Sequence, residues 1–111
     1  MTIFQEIIDG KIPCQKVFEN EEIIAFHDIA PHAPVHILIV PKKPIKGFQD
    51  LKEEDMSLLK EVAKVAQTLA KKFKIEGGYR LVTNNGVDAG QTVFHLHFHL
   101  IGGGKLKGQL A

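Results

Sequence analysis

Cysteine is nearly absent from this chain: Cys14 is the only one among 111 residues. No intrachain disulfide can form, which suits a reducing compartment, and no multi-cysteine metal site can be built within one chain. Neither sign of charge dominates. Fourteen basic and 13 acidic residues leave a formal net charge of +1. That gives no electrostatic reason to expect nucleic acid or a membrane as partner. No apolar run approaches the ~18 residues of a bilayer-spanning helix. The N-terminal "MTIFQEIIDGK" has no basic start followed by an apolar run, so no secretory signal is expected and a cytoplasmic location is. Repeats, linkers and low-complexity segments are missing too. The length fits one domain with one modest core.

What the chain does have is histidine. Six occur, and His95, His97 and His99 fall together in "FHLHFHLIGG". Around them the pattern is legible. "TIFQ" at 2–5 reads as a capping box, with Ile3, Phe4, Ile7 and Ile8 on a short helix that Gly10 ends. "KVFENEEIIAF" reads as two strands about a turn at Asn20–Glu21, and "VHILIV", 35–40, as a strand buried on both faces. From about Lys52 to Phe73, Met56, Leu59, Val62, Ala66, Leu69 and Phe73 recur at helical spacing behind an acidic first turn. Gly77–Gly78 are expected to stop that helix. "YRLVT" and "VFHLHFHLI" read as the last strands, joined by the polar loop "NNGVDAGQT". The glycine-rich tail is expected to be mobile. Hairpin-like spacing with few crossovers favours an antiparallel sheet with helices packed on it, an α+β fold.

Alternation on a strand puts His95, His97 and His99 on one face. Phe94, Leu96, Phe98 and Leu100 take the other, as core. Two chemistries fit three aligned imidazoles. One is an HxHxH metal chelate. Residues two apart on a strand lie about 6.7 Å apart, however, while zinc needs each nitrogen within about 2.1 Å. Phosphate chemistry fits better. A neutral ring nitrogen can attack phosphorus while its other nitrogen donates to a carbonyl that fixes the tautomer. A neighbouring ring can donate to an oxygen or to the leaving atom. Gly86 and Gly90, with Asn84, Gln91 and Thr92, make the preceding loop a candidate phosphate cradle.

"HLHFHLI", 95–101, resembles the histidine-triad pattern. "NNGVDAGQTVFHLHFHLIGG", "FHDIAPHAPVHILIVPKK" and "IFQEIIDGKIP" together resemble the Hint branch of that family. The likeness runs to about Gly104, so residues 1–104 are taken as one histidine-triad (HIT) domain and 105–111 as a short tail. The resemblance implies a five-stranded antiparallel sheet with one long and one short helix, two such sheets joining into ten strands in a homodimer. It implies hydrolysis of purine nucleoside phosphoramidates or aminoacyl-adenylate-like mixed anhydrides, without cofactor or metal, releasing the nucleoside monophosphate. It implies His97 as nucleophile, His99 on the phosphate and leaving group, His95 positioning His97 through its carbonyl, and His36 in the same network. Asp28 corresponds to the ribose ligand with Asn84 nearby, Phe26, His27 and Ile29 to the base pocket, and Gly90, Gln91 and Thr92 to the phosphate loop. Thr92 stands where many relatives carry Ser, and the tail lacks the aromatic that often reaches the partner's site. Both departures bear on leaving-group selectivity. Asn84 stands where the dinucleoside-polyphosphate-cleaving branch tends to carry Gln. The alternatives are that branch, a nucleotide-binding module with little turnover, and the metal-binding strand.

Overall fold

The structure is a computed structural model and describes residues 1–108. Its elements run α1 (Ile3–Ile8), β1 (Lys16–Glu19), β2 (Ile23–His27), β3 (Val35–Pro41), α2 (Met56–Lys72), β4 (Tyr79–Val82) and β5 (Phe98–Gly102). The strands form one antiparallel sheet in the order β1-β2-β3-β5-β4. The α+β architecture is the expected one.

Alternation along the central strands sorts their side chains onto two faces. Ile23, Ala25, Ile37, Ile39, Phe98 and Leu100 pack against α2, through Leu58, Val62, Val65, Ala66 and Leu69. Ile24, Phe26, Leu38 and Val40 face the other way and pack against Phe4, the buried residue of α1. Thr2 caps α1 by accepting from the Gln5 amide at 3.1 Å. The reciprocal half of the capping box is not made. Gln5 Nε2 donates instead to the Asp9 carboxylate, one turn on, at 3.0 Å.

Three local expectations shift. The long helix begins at Met56, and 53–55 form a 3-10 turn before it. It ends at Lys72, capped by Phe73 and so close to the expected Phe73, but the Gly77–Gly78 pair is not what stops it. Lys74 takes the left-handed conformation (φ 58°), and the Ile75 amide donates back to the Ala70 carbonyl at 2.8 Å. Ile75 is buried in the α2 core, and that contact offsets the cost of a non-glycine residue at such a position. Third, the last strand starts at Phe98, not at Val93. The β3–β5 ladder ends with Ile39 opposite Phe98. Two positions on, Leu96 would face Pro41, which has no N–H to continue a ladder. The Leu96 amide goes instead to the Ile45 carbonyl at 2.7 Å. Phe94, expected in the core, is therefore outside it and 43% exposed.

No helix among the described residues is long and apolar enough to cross a membrane. The start of the tail is tied down, because Arg80 Nη1 donates to the Lys107 carbonyl at 3.0 Å. Residues 109–111 lie outside the described residues.

Candidate active site

The α1 face of the sheet carries the polar cluster. In the β3–β5 register His36 faces Ile101 and Leu38 faces His99, so the two histidines are diagonal neighbours on one face. Asp28 follows β2 directly. Its amide donates to the His36 carbonyl at 2.9 Å, which sets it opposite His36. His95 and His97 sit in the irregular segment before β5. Both are buried, and Phe4 lies edge-on to the His97 ring at 4.9 Å between centroids.

Main-chain groups fix the tautomers of this cluster. His97 Nδ1 lies 2.7 Å from the His95 carbonyl oxygen. A carbonyl only accepts, so Nδ1 carries the hydrogen and Nε2 keeps a free lone pair. His95 Nε2 donates in the same way to the Pro41 carbonyl at 2.7 Å. His36 is held from the opposite side of the acid–base ledger. Its Nδ1 accepts from the His32 amide at 3.0 Å, so its Nε2 bears the hydrogen. That hydrogen points to His99 Nδ1, 2.9 Å away. His99 Nδ1 is then an acceptor, and the His99 hydrogen sits on Nε2.

Burial keeps these rings uncharged. It lowers the pKa values of His36, His95 and His97 below the ordinary histidine value. His99 is pushed down to about 4, first by burial and then by the neighbouring His97 and His36. The His97 ring thus keeps a neutral Nε2 lone pair at neutral pH, and His99 lies beside it at 5.1 Å between centroids.

Asp28, His36 and His99 each bring a ligand atom within 4.8 Å of the others, spacing that a metal ion could use. The tautomers disfavour it. A metal on His36 Nε2 would move the proton to Nδ1, against the His32 N–H, so two donors would face each other. Metal-binding histidines instead donate their second nitrogen to an acceptor. Among the described residues, His95 and His97 are not part of this three-ligand group.

A family model described as the HIT domain matches residues 9–106. The chain belongs to the HIT domain family. A HIT-like protein of Chlamydia pneumoniae is 58% identical over 103 residues, covering 93% of this chain and 94% of its own. A HIT family hydrolase of Legionella pneumophila superposes with a TM-score of 0.93 at 42% identity, over 96% of both chains. A histidine triad nucleotide-binding protein of Candida albicans gives 0.82 at 32% identity, covering all of this chain and 85% of its own.

Within this HIT domain the other candidate residues fall in different places. Phe26 is buried on the α1 face beside Phe4, with centroids 5.7 Å apart. His27 points to the opposite face, its ring edge-on to Phe73 at 5.6 Å. Ile29 is 99% exposed. Asp28 holds the Ala30 amide with Oδ1 at 2.8 Å. Its Oδ2 lies at a longer 3.4 Å from His36 Nε2. Asn84 is half-buried, and Gly90 (φ 92°) and Thr92 are exposed. Gln91 is buried, and its side chain is fully used inside the protein. Oε1 accepts from the Gly86 amide at 2.9 Å, and Nε2 donates to the carbonyls of Lys46 and Val93 at 2.8 and 3.1 Å. It shapes the loop. Sequence reasoning overlooked Phe4 as a wall of the site and Thr83, whose hydroxyl donates to the His97 carbonyl at 2.8 Å. Phe4 had a signal: it is the aromatic on an otherwise aliphatic helix face.

Proposed function

We propose that the protein is a nucleoside phosphoramidate hydrolase of the Hint branch, which also cleaves mixed anhydrides such as aminoacyl-adenylates. The observation that carries this reading is the His97 ring, buried and uncharged, its Nδ1–H held by the His95 carbonyl at 2.7 Å. In the first step His97 Nε2 bonds to phosphorus, and the bond from phosphorus to the leaving nitrogen or acyl oxygen breaks. His99 Nε2–H donates to a phosphoryl oxygen or to the leaving atom. Water then attacks phosphorus, the P–Nε2 bond breaks, and the nucleoside monophosphate leaves with the imidazole restored. His95 and His36 orient the two reacting rings. Asp28 Oδ2 accepts from the ribose hydroxyls, with Asn84 nearby. A purine base rests against Phe26, the backbone at His27, and Ile29. Gly90 and Thr92 line the phosphate side on the loop that Gln91 holds. The chain's own groups suffice for each step. The HIT family hydrolase of Legionella pneumophila supports the hydrolytic assignment, and the histidine triad nucleotide-binding protein of Candida albicans the nucleotide one.

In this reading two subunits pair along β4 into a ten-stranded sheet. The two sheet edges differ in a way that supports it. β1 carries the Lys16–Glu19 ion pair at 2.6 Å, and charge discourages edge pairing. β4 exposes Tyr79 and Leu81, at 37% and 43%.

The test is to mix the protein with a purine nucleoside phosphoramidate, quench at millisecond times in alkaline denaturant, and locate adducts by mass spectrometry. A nucleotidyl group on the His97 peptide is expected. An adduct elsewhere, or undiminished turnover by His97→Ala, overturns the assignment.

A further inference from the structure

The main chain around His97 is held on both sides. Just before it, the Leu96 amide donates to the Ile45 carbonyl at 2.7 Å. The His95 carbonyl receives the ring's own Nδ1–H. Just after it, the sheet begins at Phe98. The carbonyl of His97 itself lies between these regimes. β4 ends at Val82, opposite His99, so the β4–β5 ladder has already closed. The hydrogen bond this carbonyl receives comes from a side chain, the Thr83 hydroxyl, at 2.8 Å.

The 97–98 peptide plane decides where the Cα–Cβ bond of His97 points. A ring held only at Nδ1 can still swing if its backbone swings, and Nε2 lies on the far side of the ring from that anchor. Displacements of the order of 1 Å at a reacting atom cost roughly 100-fold in rate. Thr83 is half-buried, and its hydroxyl is directed at the main chain of the triad segment, not at the open side of the site. We propose that Thr83 is a positioning residue for His97: its hydroxyl clamps the His97 carbonyl and so aims Nε2 at phosphorus. This rests on the assignment of His97 as nucleophile. It adds a residue outside the histidine cluster and links the start of the 84–91 loop to the reacting ring.

Three variants test it. Thr83→Val keeps the branched shape and removes the donor, Thr83→Ala removes the donor with less bulk, and Thr83→Ser keeps the donor. The readouts are kcat and KM for a nucleoside phosphoramidate, and the His97 tautomer in the free protein by two-bond proton–nitrogen NMR correlation. Thr83→Val and Thr83→Ala are expected to lower kcat by about 10-fold, the scale of one lost hydrogen bond, with KM within about twofold. The His97 signals should move from the pure Nδ1–H pattern toward a tautomer mixture. Thr83→Ser should restore both. Wild-type kcat and an unmixed tautomer in Thr83→Val and Thr83→Ala would overturn the proposal. So would a loss that Thr83→Ser fails to rescue, because that loss would come from packing. The tautomer measurement needs no substrate. A protein that turns over no phosphoramidate would refute the proposed activity, while the NMR arm would still decide whether Thr83 controls the His97 ring.

Discussion

The two faces of this sheet are built from the same strands and do opposite things. On the α2 face, β2, β3 and β5 present Ile23, Ala25, Ile37, Ile39, Phe98 and Leu100 to a helix. On the α1 face the same strands present His36 and His99, with Asp28 at the end of β2 and His95 and His97 just ahead of β5. The covering helices differ to match: α2 has 17 residues and α1 has six. A long amphipathic helix can bury a wide apolar face. A six-residue helix covers only part of the other face and leaves room for a ligand. Stability is concentrated on one face and the proposed chemistry on the other. Because adjacent residues of one strand serve opposite faces, a substitution's effect should follow its face and not its place in sequence.

The largest effect belongs to the chemical face. His97→Gln is expected to lower kcat by at least about 1,000-fold, the scale seen when a covalent nucleophile is removed. Nucleoside monophosphate binding, followed by calorimetry, should stay measurable. Three residues away, Leu100→Ala should do the reverse. Leu100 is fully buried against α2, and its truncation is expected to destabilise by about 2–5 kcal/mol. Urea melts give the stability and low-temperature assays the rate, with kcat per folded molecule unchanged within about twofold of the parent. If Leu100→Ala lost its activity while fully folded, the division between faces would be wrong.

Acid should separate the faces next. His36, His95, His97 and His99 all have lowered pKa values, His99 down to about 4. An unfolded histidine titrates near 6.5. As pH falls from about 6.5 toward 4, the unfolded chain takes up more protons than the native one, so stability is lost as the solution is acidified. Above about 6.5 both states are neutral at these rings and stability should be level with respect to them. The carboxylates add their loss lower. Glu19, held down to about 2 by Lys16 and Lys42, gives up its contribution as pH falls from the ordinary 4.5 toward about 2. The urea midpoint should therefore fall between pH 6.5 and 4.5. His99→Gln should flatten that fall, and Leu100→Ala should leave its slope unchanged. The acid limb of kcat should also lie well below 6.5, as a property of the coupled cluster and not of one ring. An acid limb at 6.5 would mean that the rings are not desolvated.

The fold class and the row of histidines were legible because they rest on side-chain periodicity, which letters record. The alternation of "VHILIV" put His36 among apolar neighbours, and "HLHFHLI" spaced its three rings by two. What stayed hidden rests on the main chain. The partners that set the tautomers are the His95 and Pro41 carbonyls and the His32 amide, and every residue has such groups, so no letter marks them. For the same reason the early end of the ladder at Phe98 was missed. The alternating pattern continues through Phe94, but Pro41, on another strand, has no N–H to meet it. The helix end near Phe73 was legible, but its stop was placed at Gly77–Gly78, because a buried Ile75 lets Lys74 take a conformation usually left to glycine.

The smallest expected effect lies at Thr2, and it tests how the chemical face is covered. Thr2 contributes no atom to the site. Its hydroxyl accepts from the Gln5 amide at 3.1 Å and starts α1, and α1 delivers Phe4 to the edge of His97 and His95. Loss of an N-cap costs about 1 kcal/mol of local helix stability. In a helix this short that cost should appear as fraying and not as global unfolding, because the α2 core is untouched. Thr2→Ala is thus expected to leave the urea midpoint nearly unchanged and to speed hydrogen exchange across residues 3–8. It should lower kcat by less than about 10-fold, the size of one aromatic edge contact. Thr2→Ser, which keeps the acceptor, should restore slow exchange and rate together. If exchange speeds up while the rate holds, α1 can open without disturbing His97, and the ring is held by its main-chain partners alone.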